Sequence, residues 1–273
     1  MTSIATRDGV AYAVHDHGRG DPVVLLHGFA GSSATWAPVA DHLGAGRRLL
    51  SIDLLGHGGS DAPPAARHGL ERQAADVGWL VDALADGRAD VVGYSFGARV
   101  GLRLAIDSPG RVRRLVLESP SAGFADPAGR AARVASDERW ARLLERGDLE
   151  AFHDAWEAQP VFASRATAPT RLLDAIRAEH LAASARGLAA SLRGAGQGVM
   201  EPLHDRLREL SVETLIAAGA LDPVGHGRAT EMAELIRGAR LAVVEGAGHA
   251  PHLEQPERFV RIVNEFLSRR GDP

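Results

Sequence analysis

The chain has 273 residues, 45% of them hydrophobic and 24% charged, with no cysteine and a net charge of −4. A polypeptide of this length buries about three quarters of the surface its unfolded form exposes, so neither disorder nor a disulfide or thiolate-metal scaffold is expected. The mildly negative charge argues against nucleic acid or an anionic membrane as the main partner. No apolar run reaches the ~18–20 residues that cross a bilayer, and Met1–Asp8 lacks the basic flank and apolar stretch of a secretory signal, so a cytoplasmic location is expected.

In chain order, residues 2–6 and 10–15 flank the turn Arg7-Asp8-Gly9 and read as an antiparallel hairpin. Pro22-Val-Val-Leu-Leu-His27 is a continuous apolar run closed by Gly28, which suits a buried central strand, and Leu49–Asp53 suits another. Residues 71–86 place Ala75, Trp79, Leu80 and Leu84 at helical spacing before the strand Ala89–Tyr94. A helix over 96–108 and the strand Leu115–Leu117 follow. From 120 to 208 strands stop and helical periodicity takes over, broken by Pro120, Pro127, Pro160, Pro169 and Pro202. This predicts a helical cap over 120–208, inserted into a core made of 1–119 and 209–273. The β-α rhythm resumes with the strand 213–218, a helix near 229–237, the strand Leu241–Val244 and a last helix over 256–269. The alternation predicts an α/β fold with a mostly parallel sheet.

Gly93-Tyr94-Ser95-Phe96-Gly97 stands where a buried strand meets a helix, the Gly-x-Ser-x-Gly pattern of a nucleophile elbow. The glycines fit because a Cβ on either side of so sharp a turn would meet neighbouring backbone. A serine hydroxyl needs an imidazole to activate it, and the imidazole needs a carboxylate to fix its tautomer. Asp222 follows the strand 213–218, and His249 follows the strand 241–244 through Gly246-Ala-Gly. All three thus fall at strand ends, where open α/β sheets place their sites. The chain has 12 His, so position singles out His249. His252 reads as a loop residue, while His27 and His57 read as supports for neighbouring loops. The backbone N–H groups of Phe29 and Phe96 are the expected oxyanion hole.

Taken together, these motifs resemble the α/β-hydrolase superfamily over about residues 10–270, including its chain order of Ser, acid and His. The resemblance implies an eight-stranded sheet, a helical cap between strands six and seven, and a site that needs no cofactor and no metal. Five stretches further resemble the 2-succinyl-6-hydroxy-2,4-cyclohexadiene-1-carboxylate (SHCHC) synthase family of menaquinone biosynthesis. They are His27–Ser33, Gly93–Arg99, Leu117–Gly123, Ala131–Arg133 with Asp137–Trp140, and Trp156–Ser164.

That resemblance implies a lyase that releases pyruvate from a small polycarboxylate, and hence an anion-binding pocket. Arg99 lies one helical turn after Ser95, so its guanidinium is placed to reach a carboxylate held at the serine. By resemblance, Arg133, Trp156 and Arg177 from the cap and Tyr94 beside the nucleophile complete the pocket, with Arg193 a weaker candidate. Residues 120–210 hold 12 Arg against 13 Asp and Glu, so most cap arginines are expected to be solvated or ion-paired. The same catalytic residues would serve a carboxylesterase or a carbon–carbon bond hydrolase acting on an acidic substrate, and a ligand-binding member of the superfamily can keep them without turnover. The sequence leaves monomer and homo-oligomer open.

Overall fold

Eight strands form one sheet in the computed structural model, which describes residues 2–6 and 8–269. They are β1 Thr2–Ala5, β2 Ala11–Gly18, β3 Asp21–Leu26, β4 Arg47–Ile52, β5 Ala89–Tyr94, β6 Val112–Glu118, β7 Glu213–Gly219 and β8 Arg240–Val244. The order across the sheet is β1-β2-β4-β3-β5-β6-β7-β8. β2 runs antiparallel to both its neighbours, and every pair from β4 to β8 is parallel. Arg7, in the expected hairpin turn, lies outside the described residues.

The strands that read as unbroken apolar runs are central and covered on both faces, as parallel strands must be. On one face, α2 (Leu70–Leu84), α3 (Phe96–Asp107) and α8 (Pro223–Leu235) pack over Leu26, Val91, Leu117 and Ile216. On the other, α1 (Ala37–Leu43) and α10 (Pro256–Leu267) pack over Leu25, Val92 and Val116. The 94-residue interval between β6 and β7 contains no strand and is built from α4 (Pro127–Glu145), α5 (Leu149–Glu157), α6 (Thr170–Leu181) and α7 (Ala185–Ala195). Among them, α4, α5 and α7 share a separate, smaller core of Ala141, Leu144, Phe152, Leu188 and Leu192, which reaches the loop after β3 through Ala30 and Phe29.

Two elements differ from the sequence reading in extent. β6 runs from Val112 to Glu118, longer than its apolar centre. α8 begins at Pro223, six residues before the expected start, because the Asp222 carboxylate caps the helix by accepting the Gly225 N–H at 2.8 Å and Pro223 occupies the first turn.

Candidate active site

The turn from β5 into α3 holds Ser95 at φ 48°, ψ −97°, a strained backbone for a residue with a side chain. The flanking glycines permit it. A Cβ on Gly93 would lie 2.5 Å from the Gly97 carbonyl oxygen, and one on Gly97 would lie 2.1 Å from that of Leu26. The Ser95 N–H donates to the Glu118 carbonyl at 2.8 Å, which ties the elbow to the end of β6.

His249 Nε2 lies 3.2 Å from Ser95 Oγ, and His249 Nδ1 lies 2.8 Å from Asp222 Oδ2. The carboxylate is nearly buried and the imidazole 17% exposed, so the pair is shielded yet open toward the serine. Although burial pushes its carboxyl up, the hydrogen bonds from His249 and from the Gly225 N–H hold Asp222 below the usual carboxylate range. The order Asp222, His249, Ser95 is that of a proton relay in which the acid fixes the tautomer of the base.

The amide N–H groups of Phe29 and Phe96 have no acceptor among the described residues, and both residues line the same cavity as Ser95 and His249. Beneath them, His57 is fully buried, with its ring 5.5 Å from that of Phe29 and 5.7 Å from that of Phe96. His27 Nε2 accepts the Leu54 N–H at 2.9 Å. Burial keeps both imidazoles below their ordinary pKa.

The cavity holds about 370 Å³ and is bounded by the sheet edge on one side and by α4, α7 and the α5–α6 connection on the other. Arg99, Arg133, Tyr94 and Trp156 all line it. Arg99 is buried, donates to the Ala195 carbonyl at 2.6 Å, leaves Nε without a partner, and lies 5.0 Å from the Phe96 ring centre. Burial first, then the like charge of Arg133, pulls its guanidinium down to about 9, against the opposing charge of Asp137. Arg133 Nε donates to Asp137 Oδ1 at 2.7 Å. Trp156 packs 5.0 Å from Phe29 and 5.1 Å from Trp140. Tyr94 lies 5.6 Å from the His249 ring, and burial raises its phenol pKa.

Arg177 is not part of this cavity. Its side chain is 39% exposed and pairs with Glu150 and Asp154, each at 3.1 Å. α6 packs against α5, and the charges of Arg177, Glu150 and Asp154 lie on exposed parts of the two helices. Arg193 likewise turns to Glu138 and Glu145.

Two features escaped the sequence reading. His252 is not in a loop. It sits fully buried in α9 (Pro251–Glu254), where Glu118 Oε1 accepts its backbone N–H at 2.9 Å and lies 2.8 Å from its Nδ1. The next residue, Ser119, donates its hydroxyl to the His249 carbonyl at 2.8 Å, so the end of β6 braces both the serine and the imidazole. An acidic residue directly after the apolar run Leu115–Leu117 was the available signal. The second feature is Arg228 of α8, which lines the cavity from the acid's side.

The alpha/beta hydrolase fold family matches residues 21–256. The chain is also 37% identical, over 97% of its length and 98% of the relative's, to a Bacillus subtilis protein named putative 2-succinyl-6-hydroxy-2,4-cyclohexadiene-1-carboxylate synthase. The chain belongs to the alpha/beta hydrolase family, in its SHCHC synthase group. A Salmonella paratyphi C SHCHC synthase is 34% identical, with 90% of this chain and 93% of that protein aligned. Among solved structures, MenH from S. aureus superposes with a TM-score of 0.89 at 30% identity, covering 94% of this chain and 97% of that one. That structure and this chain thus share the fold over nearly their full length.

Proposed function

We propose that this alpha/beta hydrolase eliminates pyruvate from 2-succinyl-5-enolpyruvyl-6-hydroxy-3-cyclohexene-1-carboxylate to give SHCHC. The observation that carries the reading is the convergence of Arg99 and Arg133 on the cavity that contains Ser95 and His249. A site built for neutral esters has no use for two guanidinium groups, one of them buried with no carboxylate in ion-pair contact among the described residues. The names of the relatives point the same way.

In this reading, the unit Ser95–His249–Asp222 takes the proton from the ring carbon that bears the succinyl ketone. The electrons of that C–H bond, held first on the succinyl ketone oxygen, then move through the ring double bond and expel the enolpyruvyl oxygen, which leaves as the enolate of pyruvate and takes up one proton on carbon. The enolate oxygen that forms on the succinyl ketone is stabilised by the N–H groups of Phe29 and Phe96, donors aimed where negative charge develops. Arg99 and Arg133 hold carboxylates. Tyr94 and Trp156 wall the ring in, and their apolar faces keep water from the carbanion.

The same relay and hole suit acyl transfer, so the test runs both reactions. Purified protein is mixed with enzymatically generated substrate, pyruvate release and diene absorbance are followed, and a short-chain nitrophenyl ester is assayed in parallel. Elimination well above the spontaneous rate with weak ester cleavage is the expected result. Efficient ester cleavage with no elimination would replace the reading with a serine hydrolase of acidic substrates. If Ser95→Ala keeps near-normal turnover while His249→Ala loses it, His249 rather than the serine is the immediate base.

A further inference from the structure

The cavity is more cationic than the elimination reading asked of it. Besides Arg99 from α3 and Arg133 from α4, it is lined by Arg228, which enters from the second turn of α8, six residues after Asp222. Arg228 has no carboxylate within ion-pair distance among the described residues. Its stem reaches from the sheet domain toward the first residues after β6, where its guanidinium lies 5.4 Å from the Phe124 ring centre. Arg133 lines the same cavity from α4 and has its own carboxylate, Asp137, at 2.7 Å. Burial is the main influence that lowers the Arg228 pKa, followed by the like charge of Arg133; Asp222 and Glu231 oppose both from α8. Arg133 likewise lowers Arg99, so it stands electrostatically between the other two.

Like charges brought together in a half-buried cleft cost free energy unless something anionic occupies the space between them. We propose that Arg228 and Arg133 form a second carboxylate-binding subsite on the α8 side of the cavity, which receives one acid group of the substrate while Arg99 receives another. This rests on the reading of a polycarboxylate substrate and adds a residue to it. Arg228 takes the place that Arg177 was expected to fill. A guanidinium suits the role because it offers two parallel N–H donors to one carboxylate while its face rests on an aromatic ring. With Arg99 on the serine's side and Arg228 on the acid's side, a substrate gripped at both ends is held with its ring over Ser95 Oγ and His249 Nε2.

The rival role for Arg228 is purely structural, a cation–π contact that fastens α8 to the segment around Phe124. Succinate and butyrate separate the two roles, because they share a four-carbon chain and differ by one carboxylate. Their binding is followed through intrinsic tryptophan fluorescence, to which Trp156 in the cavity contributes, and by thermal shift, neither of which needs turnover. The wild-type protein is expected to bind succinate at least about tenfold more tightly than butyrate, the worth of one charge-assisted pair. Arg228→Met, which keeps the length of the stem over Phe124, should abolish that preference, and Arg228→Lys should restore part of it. In steady state, Arg228→Met should raise KM for the acidic substrate roughly 10- to 50-fold with kcat within about threefold, the pattern of lost uniform binding. The proposal is overturned if Arg228→Met keeps the succinate preference, or if Phe124→Leu removes it as completely as Arg228→Met does. If the wild-type protein eliminates no pyruvate yet shows an Arg228-dependent preference for succinate, the subsite stands and the reaction assigned above is the part that fails.

Discussion

Ser95, Asp222 and His249 stand at the ends of three strands, whereas Arg133, Trp156 and Arg177 ride on helices that pack on one another rather than on the sheet. At the sheet edge, a residue's place follows from counting along a strand, because neighbouring parallel strands are in fixed register and end at the same level. In the covering helices, each position commits a side chain only to a face of its helix, and the packing of α4, α5, α6 and α7 decides which face meets the cavity. Chemistry assigned to strand ends is therefore robust, while chemistry assigned to cap helices depends on how those helices lie.

The largest effect that would break this comparison belongs to the edge. Asp222→Asn keeps an oxygen for the Gly225 N–H but no longer favours the His249 tautomer with its proton on Nδ1. Turnover should fall about 10³- to 10⁴-fold. The initial rate of pyruvate release measures it, and a loss of less than tenfold would mean that the three residues are not the reacting unit.

Arg99 belongs to the edge by position and, under the proposed function, to the pocket by role. Removing the partner of a bound carboxylate costs about 2–5 kcal/mol, so Arg99→Met should lower kcat/KM by about 10²-fold or more. Calorimetry should show the opposite sign for stability. The buried, incompletely bonded cation is replaced by an apolar side chain of similar length, and Tm should rise. A fall in both quantities would mean that Arg99 is there to anchor the Ala195 carbonyl at the end of α7 rather than to bind substrate.

Acid tests the two regions together. Burial keeps His27 and His57 under the sheet-edge loops, and His180 in α6, below the ordinary imidazole value of 6.5, with His180 at about 3. Because these folded-state values are depressed, the unfolded chain takes up protons first, and stability falls as pH drops below about 6.5. The slope is about 1.4 kcal/mol per pH unit for each such group. Tm measured from pH 7 to pH 4 should decline, and His180→Phe, which removes one group from the cap, should flatten the decline. An unchanged slope would mean that the cap opens and releases His180 to water before the core unfolds.

How much of this was legible follows from the same distinction. The elbow, the acid and the imidazole could be placed from sequence because each is announced by an apolar run followed by a turn. Glu118 and His252 could not be paired in this way, since they are 134 positions apart and meet only because the end of β6 comes against α9. Arg228 was hidden by one boundary. Reading the helix as starting near 229 left Arg228 outside it, whereas the cap formed by Asp222 and Pro223 starts it in time to bring the second turn onto the cavity. Arg133 and Arg177 looked alike, as arginines of cap helices. Only packing separates them, because Arg133 has the buried Asp137 one turn along its own helix to hold it inward, while Arg177 has exposed acids of α5 to hold it outward.

The smallest predicted effect carries the sharpest test of that last separation. Exposed pairs such as Arg177–Glu150 and Arg177–Asp154 contribute about 0–1 kcal/mol, so Arg177→Ala should leave Tm almost unchanged and both kcat and KM within about twofold. A guanidinium already compensated by two carboxylates on a solvent-facing surface has no charge left to offer, and turning it inward would uncover both acids and desolvate the cation. A tenfold rise in KM would therefore require more than a rotamer change. It would require α6 to turn about its axis when substrate binds, trading the α5 acids for a substrate carboxylate. Arg228→Met would then be expected to matter less, because two arginines would be competing for one anion. Measuring the two variants side by side, with succinate as the common probe, decides which arginine supplies the second grip.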